Sequence, residues 1–183
     1  MIVIAFYTPE YSTEALLLQE TLRTFNIDFL VKQYESRGKW VRNCSIKPEF
    51  ISEMLDVRPQ DEQILYVDAD ARIKKAFDYW PKGDIGVHYR DGTELLSGTI
   101  FLKNNACVRA LVDIWKKIQA KHPTEFDQVI LCRVIKEHAK KLDVTITNTP
   151  ANYTQIFDLM RNEGEPIIEH TQASRKFRRK IGV

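Results

Sequence analysis

Short apolar runs of strand length alternate along this chain with stretches whose apolar residues recur at helical spacing. Residues 2–6 form the first run. Tyr11, Ala15, Leu18, Leu22 and Phe25 follow at steps of four, three, four and three, which traces one helix face, with Ser12 or Thr13 as its cap. Residues 27–31 are rich in strand formers. Phe50, Ile51, Met54 and Leu55 make a second helical face with Pro48 in its first turn. Residues 64–67, 85–87 and 99–102 read as strands. Val108, Leu111, Val112, Trp115 and Ile118 predict one more helix, and Phe126, Val129, Ile130 and Val134 another. Residues 142–146 and 167–168 close the series as strands, while 33–44 and 77–83 read as loops. Such alternation predicts an α/β domain, a mostly parallel central sheet flanked by helices. In such sheets ligands sit beyond the carboxyl ends of the strands.

Composition narrows the function classes. The 183 residues suffice for one domain with its own core. No apolar run approaches the roughly 18 residues that a membrane span needs. The first residues lack a basic start and read as a buried strand rather than a secretory signal. Cys44, Cys107 and Cys132 are widely spaced, with no CxxC, so a disulfide framework or zinc site is not expected and a cytoplasmic setting is. Each reads as a small core residue. The formal charge of +2 hides an asymmetry. Residues 171–183 hold Arg175, Lys176, Arg178, Arg179 and Lys180 and no acid, whereas residues 1–170 carry 22 basic and 25 acidic side chains. The expected organisation is a domain over 1–170 and a basic tail over 171–183.

The segment 64–71, Ile-Leu-Tyr-Val-Asp-Ala-Asp-Ala, carries the most chemistry. An apolar strand runs straight into two acids. In extended chain, residues two apart share a side, so Asp68 and Asp70 converge at the sheet's edge. Two close carboxylates repel unless a cation lies between them, and Mg²⁺ and Mn²⁺ take oxygen ligands. The bland alternative is that both acids merely cap a turn.

Several segments, in order and approximate spacing, resemble those of GT-A-fold nucleotide-diphospho-sugar transferases. They are the Asp-x-Asp strand at 64–70, the Lys-Pro-led helix at 47–51 before it, and Leu96-Ser97-Gly98-Thr99 opening the strand after it. Trp115, the Asp127-Gln128 pair and Ile168-Glu169-His170 complete the set. The resemblance implies a Rossmann-like domain that moves a sugar, by family habit from a UDP-sugar, to an acceptor left open among saccharide, protein, lipid-linked and nucleic-acid classes.

It further implies Mn²⁺ or Mg²⁺ on Asp68, Asp70 and His170, with Asp68 also near the ribose. Tyr7 and Thr8 would meet the nucleotide, and Ser97 and Gly98 the donor sugar. Asp127 is the candidate base if transfer inverts the anomeric centre, and Gln128 lies near the reacting face if it retains it. Lys47 would reach the diphosphate, as would Arg175 and Lys176 of the tail. Arg90 and Asp91 lie in a loop that could touch the donor. For each of these residues a surface or structural role is the competing reading. The tail also suits weak contact with an anionic surface or nucleic acid.

Two other classes compete. A non-catalytic module of the same fold would bind the nucleotide sugar without turnover. A nucleic-acid protein would act through its tail, against which the acidic body argues. A haloacid-dehalogenase-type phosphatase also uses Asp-x-Asp, but after its first strand and not before Ala-Arg.

Overall fold

A computed structural model describes residues 1–77, 79–160 and 164–175. In chain order the strands are β1 Ile2–Tyr7, β2 Phe29–Gln33, β3 Gln63–Val67, β4 Ala71–Ile73, β5 Ile85–Arg90, β6 Glu94–Lys103, β7 Ile146–Asn148, β8 Gln155–Ile156 and β9 Ile168–His170. The helices are α1 Ser12–Thr24, α2 Trp40–Cys44, α3 Lys47–Val57, α4 Ala106–Lys121 and α5 Asp127–His138.

Six strands form the main sheet in the order β2-β1-β3-β6-β5-β7. All but β6 run the same way; β6 pairs antiparallel with both β3 and β5. A small second sheet, β4-β9-β8, stands beside it.

The two-residue period of the strands divides the core. Ile2 and Ile4 of β1 and Ile64 and Tyr66 of β3 face the side covered by α3, α4 and α5. Val3, Ala5, Leu65 and Val67 face the other side, where Leu18 and Leu22 of α1 and Ile168 of β9 cover them. Strands buried on both faces have no polar positions to spare, which is why β1 and β3 are continuously apolar. Leu18 and Leu22 are fully buried, so truncating either to Ala costs about 2–5 kcal/mol. The Asn105 side chain caps α4 by accepting from the Val108 amide.

The structure departs from the sequence reading in several places. A 3₁₀ turn, Pro9–Tyr11, leads directly into α1, so Tyr11 holds the cap position and neither Ser12 nor Thr13 caps. Trp40–Cys44 is a short helix where a loop was expected; five residues give no helical period to read. The expected strand over 142–146 begins only at Ile146, after a 3₁₀ turn and a left-handed Asp143. Helix α5 buries Asp127, Ile130, Leu131, Val134 and Ile135. Its apolar Phe126 and Val129 are instead 43% and 44% exposed. The three cysteines form no disulfide and are half-buried rather than core. No helix among the described residues is long and apolar enough to cross a membrane.

Candidate active site

The two acids after β3 are brought together by a turn. The Asp68 amide donates to Gly98 O at 2.8 Å, extending the ladder between β3 and β6. The Ala71 amide then donates back to Asp68 O at 2.9 Å, closing a four-residue turn that launches β4. The expected extended convergence is therefore replaced by a bend. Ala71 sits opposite His170 in the pairing of β4 with β9, which carries a histidine from late in the chain to these acids.

Ligand atoms of Asp68, Asp70 and His170 all lie within 4.8 Å of one another. Each partner is fixed from behind. His170 Nδ1 lies 3.4 Å from Asp70 Oδ1, and its Nε2 shares a 2.8 Å hydrogen bond with the Thr99 hydroxyl. Asp70 Oδ2 accepts from the Ala173 amide at 2.9 Å, and the Thr171 amide donates to Asp70 O. Gln172 between them adopts φ 55°, a left-handed conformation uncommon for glutamine, and this bends the chain back over Asp70. Asp68 Oδ1 accepts from the Tyr66 hydroxyl at 2.7 Å.

Behind Asp68 lies a buried ion cluster. Lys47 Nζ is 2.7 Å from Asp127 Oδ2 and 3.1 Å from Asp68 Oδ1. It also donates to Ser97 O and Oγ at 3.0 Å, and Ser97 Oγ donates to Asp127 Oδ2 at 2.8 Å. Burial alone would lower the lysine's pKa, but Asp127 and then Asp68 outweigh it, and the pKa is raised. Burial, aided by the Asp68 charge, pushes the Tyr66 phenol well up. Burial works to raise the Asp70 carboxyl; its contact with His170 and the Ala173 amide overcomes this and lowers it.

Asp68, Asp70, His170, Tyr66, Lys47, Ser97 and Asp127 line one cleft of about 350 Å³ at the carboxyl end of β1 and β3. Two carboxylates and an imidazole are a donor set suited to Mn²⁺ or Mg²⁺. Gly98 keeps the space beside them open. A Cβ there would stand 3.0 Å from His170 Cε1 and 3.3 Å from Asp68 Oδ2.

No family model matches the sequence, and no curated protein matches it. Solved structures do. A glycosyltransferase involved in the glycosylation of the major capsid of PBCV-1 superposes with a TM-score of 0.72 at 12% identity, over 98% of each chain. The galactosyltransferase LgtC, solved with donor and acceptor sugar analogs, gives 0.61 at 11% identity over 93% of this chain and 86% of that one. Mouse xyloside xylosyltransferase 1 gives 0.56 at 11% identity over 95% of this chain and 99% of that one. The chain has the GT-A glycosyltransferase fold.

Within this GT-A fold, the residues singled out from sequence fall as follows. Tyr7, Thr8, Lys47, Asp68, Asp70, Ser97, Gly98, Asp127, Gln128 and His170 all line the cleft. Lys47 lies at its buried floor rather than reaching outward. Arg90 lines the cleft too, ion-paired with Glu94. Arg175 pairs with Asp158 and stacks over the Phe157 ring, and is not in the cleft wall. Lys176 and the tail beyond it lie outside the described residues. Sequence reasoning missed Tyr66, Trp40, Cys44 and Glu94 as lining residues. Only Tyr66 carried a signal: it lies two residues before Asp68 and so on its side of the strand.

Proposed function

We propose that this chain is a metal-dependent glycosyltransferase that moves a sugar from a nucleotide-diphosphate donor, a UDP-sugar foremost, to an acceptor. The observation that carries this reading is the Asp68–Asp70–His170 group sharing one cleft with the buried Lys47–Asp127 pair. Asp68, Asp70 and His170 would hold Mn²⁺ or Mg²⁺. When bound, the ion supplies Lewis-acid charge against the diphosphate leaving the anomeric carbon.

The remaining work belongs to the chain. Tyr66 and Lys47 hold Asp68 Oδ1, which fixes that carboxylate's orientation. Tyr7 and Thr8, at the end of β1, would receive the nucleotide. Gly98 lets the donor sugar approach the backbone closely. Ser97, Asp127 and Lys47 present a fixed polar floor to its hydroxyls. In transfer, the bond from the anomeric carbon to the diphosphate breaks and a bond to the acceptor oxygen forms. Asp127 would take the acceptor's proton if the centre inverts; the Gln128 amide would support the reacting face if it is retained. Arg175 and Lys176 would pair with phosphate oxygens, Arg175 after leaving Asp158. Three cysteines outside any disulfide fit a reducing, cytoplasmic setting.

The brevity of the chain does not favour a module without turnover, because a structure described as a glycosyltransferase is spanned almost end to end. Calorimetric titration of UDP, GDP and CDP, with and without Mn²⁺, tests the reading beside the Asp68→Ala/Asp70→Ala double variant. Binding of one nucleotide that requires Mn²⁺ and vanishes in the variant is expected. Hydrolysis of the matching nucleotide sugar then separates enzyme from module. A folded sample that binds no nucleotide would sink the proposal.

A further inference from the structure

We propose that the acceptor is an oligosaccharide carrying a carboxylate, held in a second groove that opens from the cleft between α5 and the hairpin of β5 and β6. The inference rests on the glycosyltransferase reading above and adds the acceptor's chemical class. The groove measures about 360 Å³ and shares Glu94 and Gln128 with the cleft. At that junction Gln128 Nε2 donates to Glu94 Oε1 at 3.5 Å, a long contact that an incoming hydroxyl can displace. The groove thus ends at the residue next to Asp127, where the acceptor's reacting hydroxyl is wanted.

Both walls are regular structure. The buried face of α5 holds Ile130, Leu131 and Val134. Val129, Arg133 and Lys136, at steps of four and three, form an outward row along the groove. From Gln128 to Lys136 the helix rises about 12 Å, more than one pyranose ring spans. The facing wall is Thr93 and Glu94, where the hairpin turn enters β6. Glu94 stands opposite Arg90 in the hairpin register and is ion-paired with it. Walls fixed in this way leave little ordering for binding to impose.

The charges along the row select the occupant. Glu94 is answered by Arg90, and Arg133 by Glu125. Lys136 is exposed and has neither an ion pair nor a hydrogen bond among the described residues. The groove therefore carries one unanswered positive charge. Beside it, Arg133 spends a single nitrogen, Nη2, on Glu125 and keeps the rest of its fork. A carboxylate brings one negative charge, whereas a phosphate monoester brings about 1.5 to 2. The carboxylate matches the surplus.

The remaining lining suits a sugar. The Thr93 hydroxyl, the Gln128 amide and the Glu94 carboxylate offer donors and acceptors to hydroxyl groups, and the exposed Val129 offers an apolar surface to a C–H face. A lipid tail would desolvate these groups without pairing them.

Calorimetry on the whole chain, with UDP and Mn²⁺ present, tests the proposal. The probes are cellobiose, lactose and mannobiose, each beside forms in which a primary alcohol of either ring is oxidised to a carboxylate or is phosphorylated. Tetraglutamate is the peptide control. At least one carboxylate form should bind about tenfold more tightly than its neutral parent, and the advantage should shrink as salt rises from roughly 20 to 500 mM. Lys136→Gln should abolish the advantage and Lys136→Glu should reverse it, with nucleotide affinity unchanged in both. Equal binding of neutral and acidic forms, no saccharide binding, or an advantage that survives Lys136→Gln overturns the groove assignment. A fall in Tm with the advantage intact would mean that Lys136 serves only the dipole of α5. Tighter binding of the phosphorylated forms overturns the carboxylate, and binding of tetraglutamate alone overturns the saccharide. Absence of Mn²⁺-dependent nucleotide binding in wild type overturns the reading beneath, whatever the saccharides do.

Discussion

Lys47 Nζ and Asp127 Oδ2 lie 2.7 Å apart, and both side chains are out of water. Halving such a pair leaves a charge stranded in the interior. Lys47→Met should therefore cost about 3–5 kcal/mol in urea denaturation. The Lys47→Met/Asp127→Asn double variant should lose clearly less than the two single losses summed. Strict additivity would mean that the two groups are not coupled. The lysine's pKa is raised by the fold, so its contribution is complete below the ordinary lysine value of about 10.4 and declines only above it. The deficit of Lys47→Met should accordingly stay flat from roughly pH 6 to 9.

Thr99 orients His170. If Nδ1 of His170 faces a metal, Nε2 carries the proton and donates it to the Thr99 hydroxyl at 2.8 Å. Thr99→Val removes that acceptor inside a buried site. Mn²⁺ affinity, read by calorimetry, should fall about 10–100-fold while the far-ultraviolet circular dichroism is kept. Unchanged affinity would show that Thr99 does not set the imidazole.

Gly98 is a matter of room. Alanine there places a methyl 3.0 Å from His170 Cε1 and 3.2 Å from Nδ1. The imidazole is buried and cannot retreat freely. We expect Gly98→Ala to fold, with Mn²⁺-supported UDP binding weakened at least about tenfold. Wild-type nucleotide affinity in this variant would place the donor elsewhere.

Asp84 gives a pH dependence away from the cleft. Its carboxylate accepts from the Thr145 amide and hydroxyl and from Asn105 Nδ2, tying β5 to the chain before β7 and to the cap of α4. Burial works to raise its pKa, but these donors prevail and it is lowered. A lowered carboxyl stabilises the fold above its unfolded pKa, about 3.9, and loses that contribution as pH falls through the folded value. Asp84→Asn should thus cost about 1 kcal/mol at pH 7, the site being partly exposed. The gap to wild type should close below about pH 3.9. A gap that persists in acid would assign the loss to shape rather than charge.

What the sequence could and could not reveal follows from range. The central strands are legible because continuous apolar runs have few other uses. Asp68 and Asp70 stand out because they interrupt one such run. His170 carries no local pattern; the pairing that delivers it involves strands of three residues, too short for any period. Lys47 was placed toward the diphosphate because lysines are seldom buried, and nothing near it in sequence announces Asp68 and Asp127. The face of α5 was misjudged for a related reason. The sets Phe126–Val129–Ile130–Val134 and Asp127–Ile130–Leu131–Val134 share two members, and only the buried partners of Asp127 decide between them.

The pairing of Ala71 with His170 also dates the site in the life of the chain. Strands so short add little by themselves, and closing a loop of about a hundred residues offers no early reward. An incompletely folded chain has the two aspartates but not His170 beside them, so the proposed ligand set would be incomplete. Metal ions in solution would therefore not guide the early steps of folding. They would act only on molecules that have finished, holding them folded more firmly as the ion concentration rises.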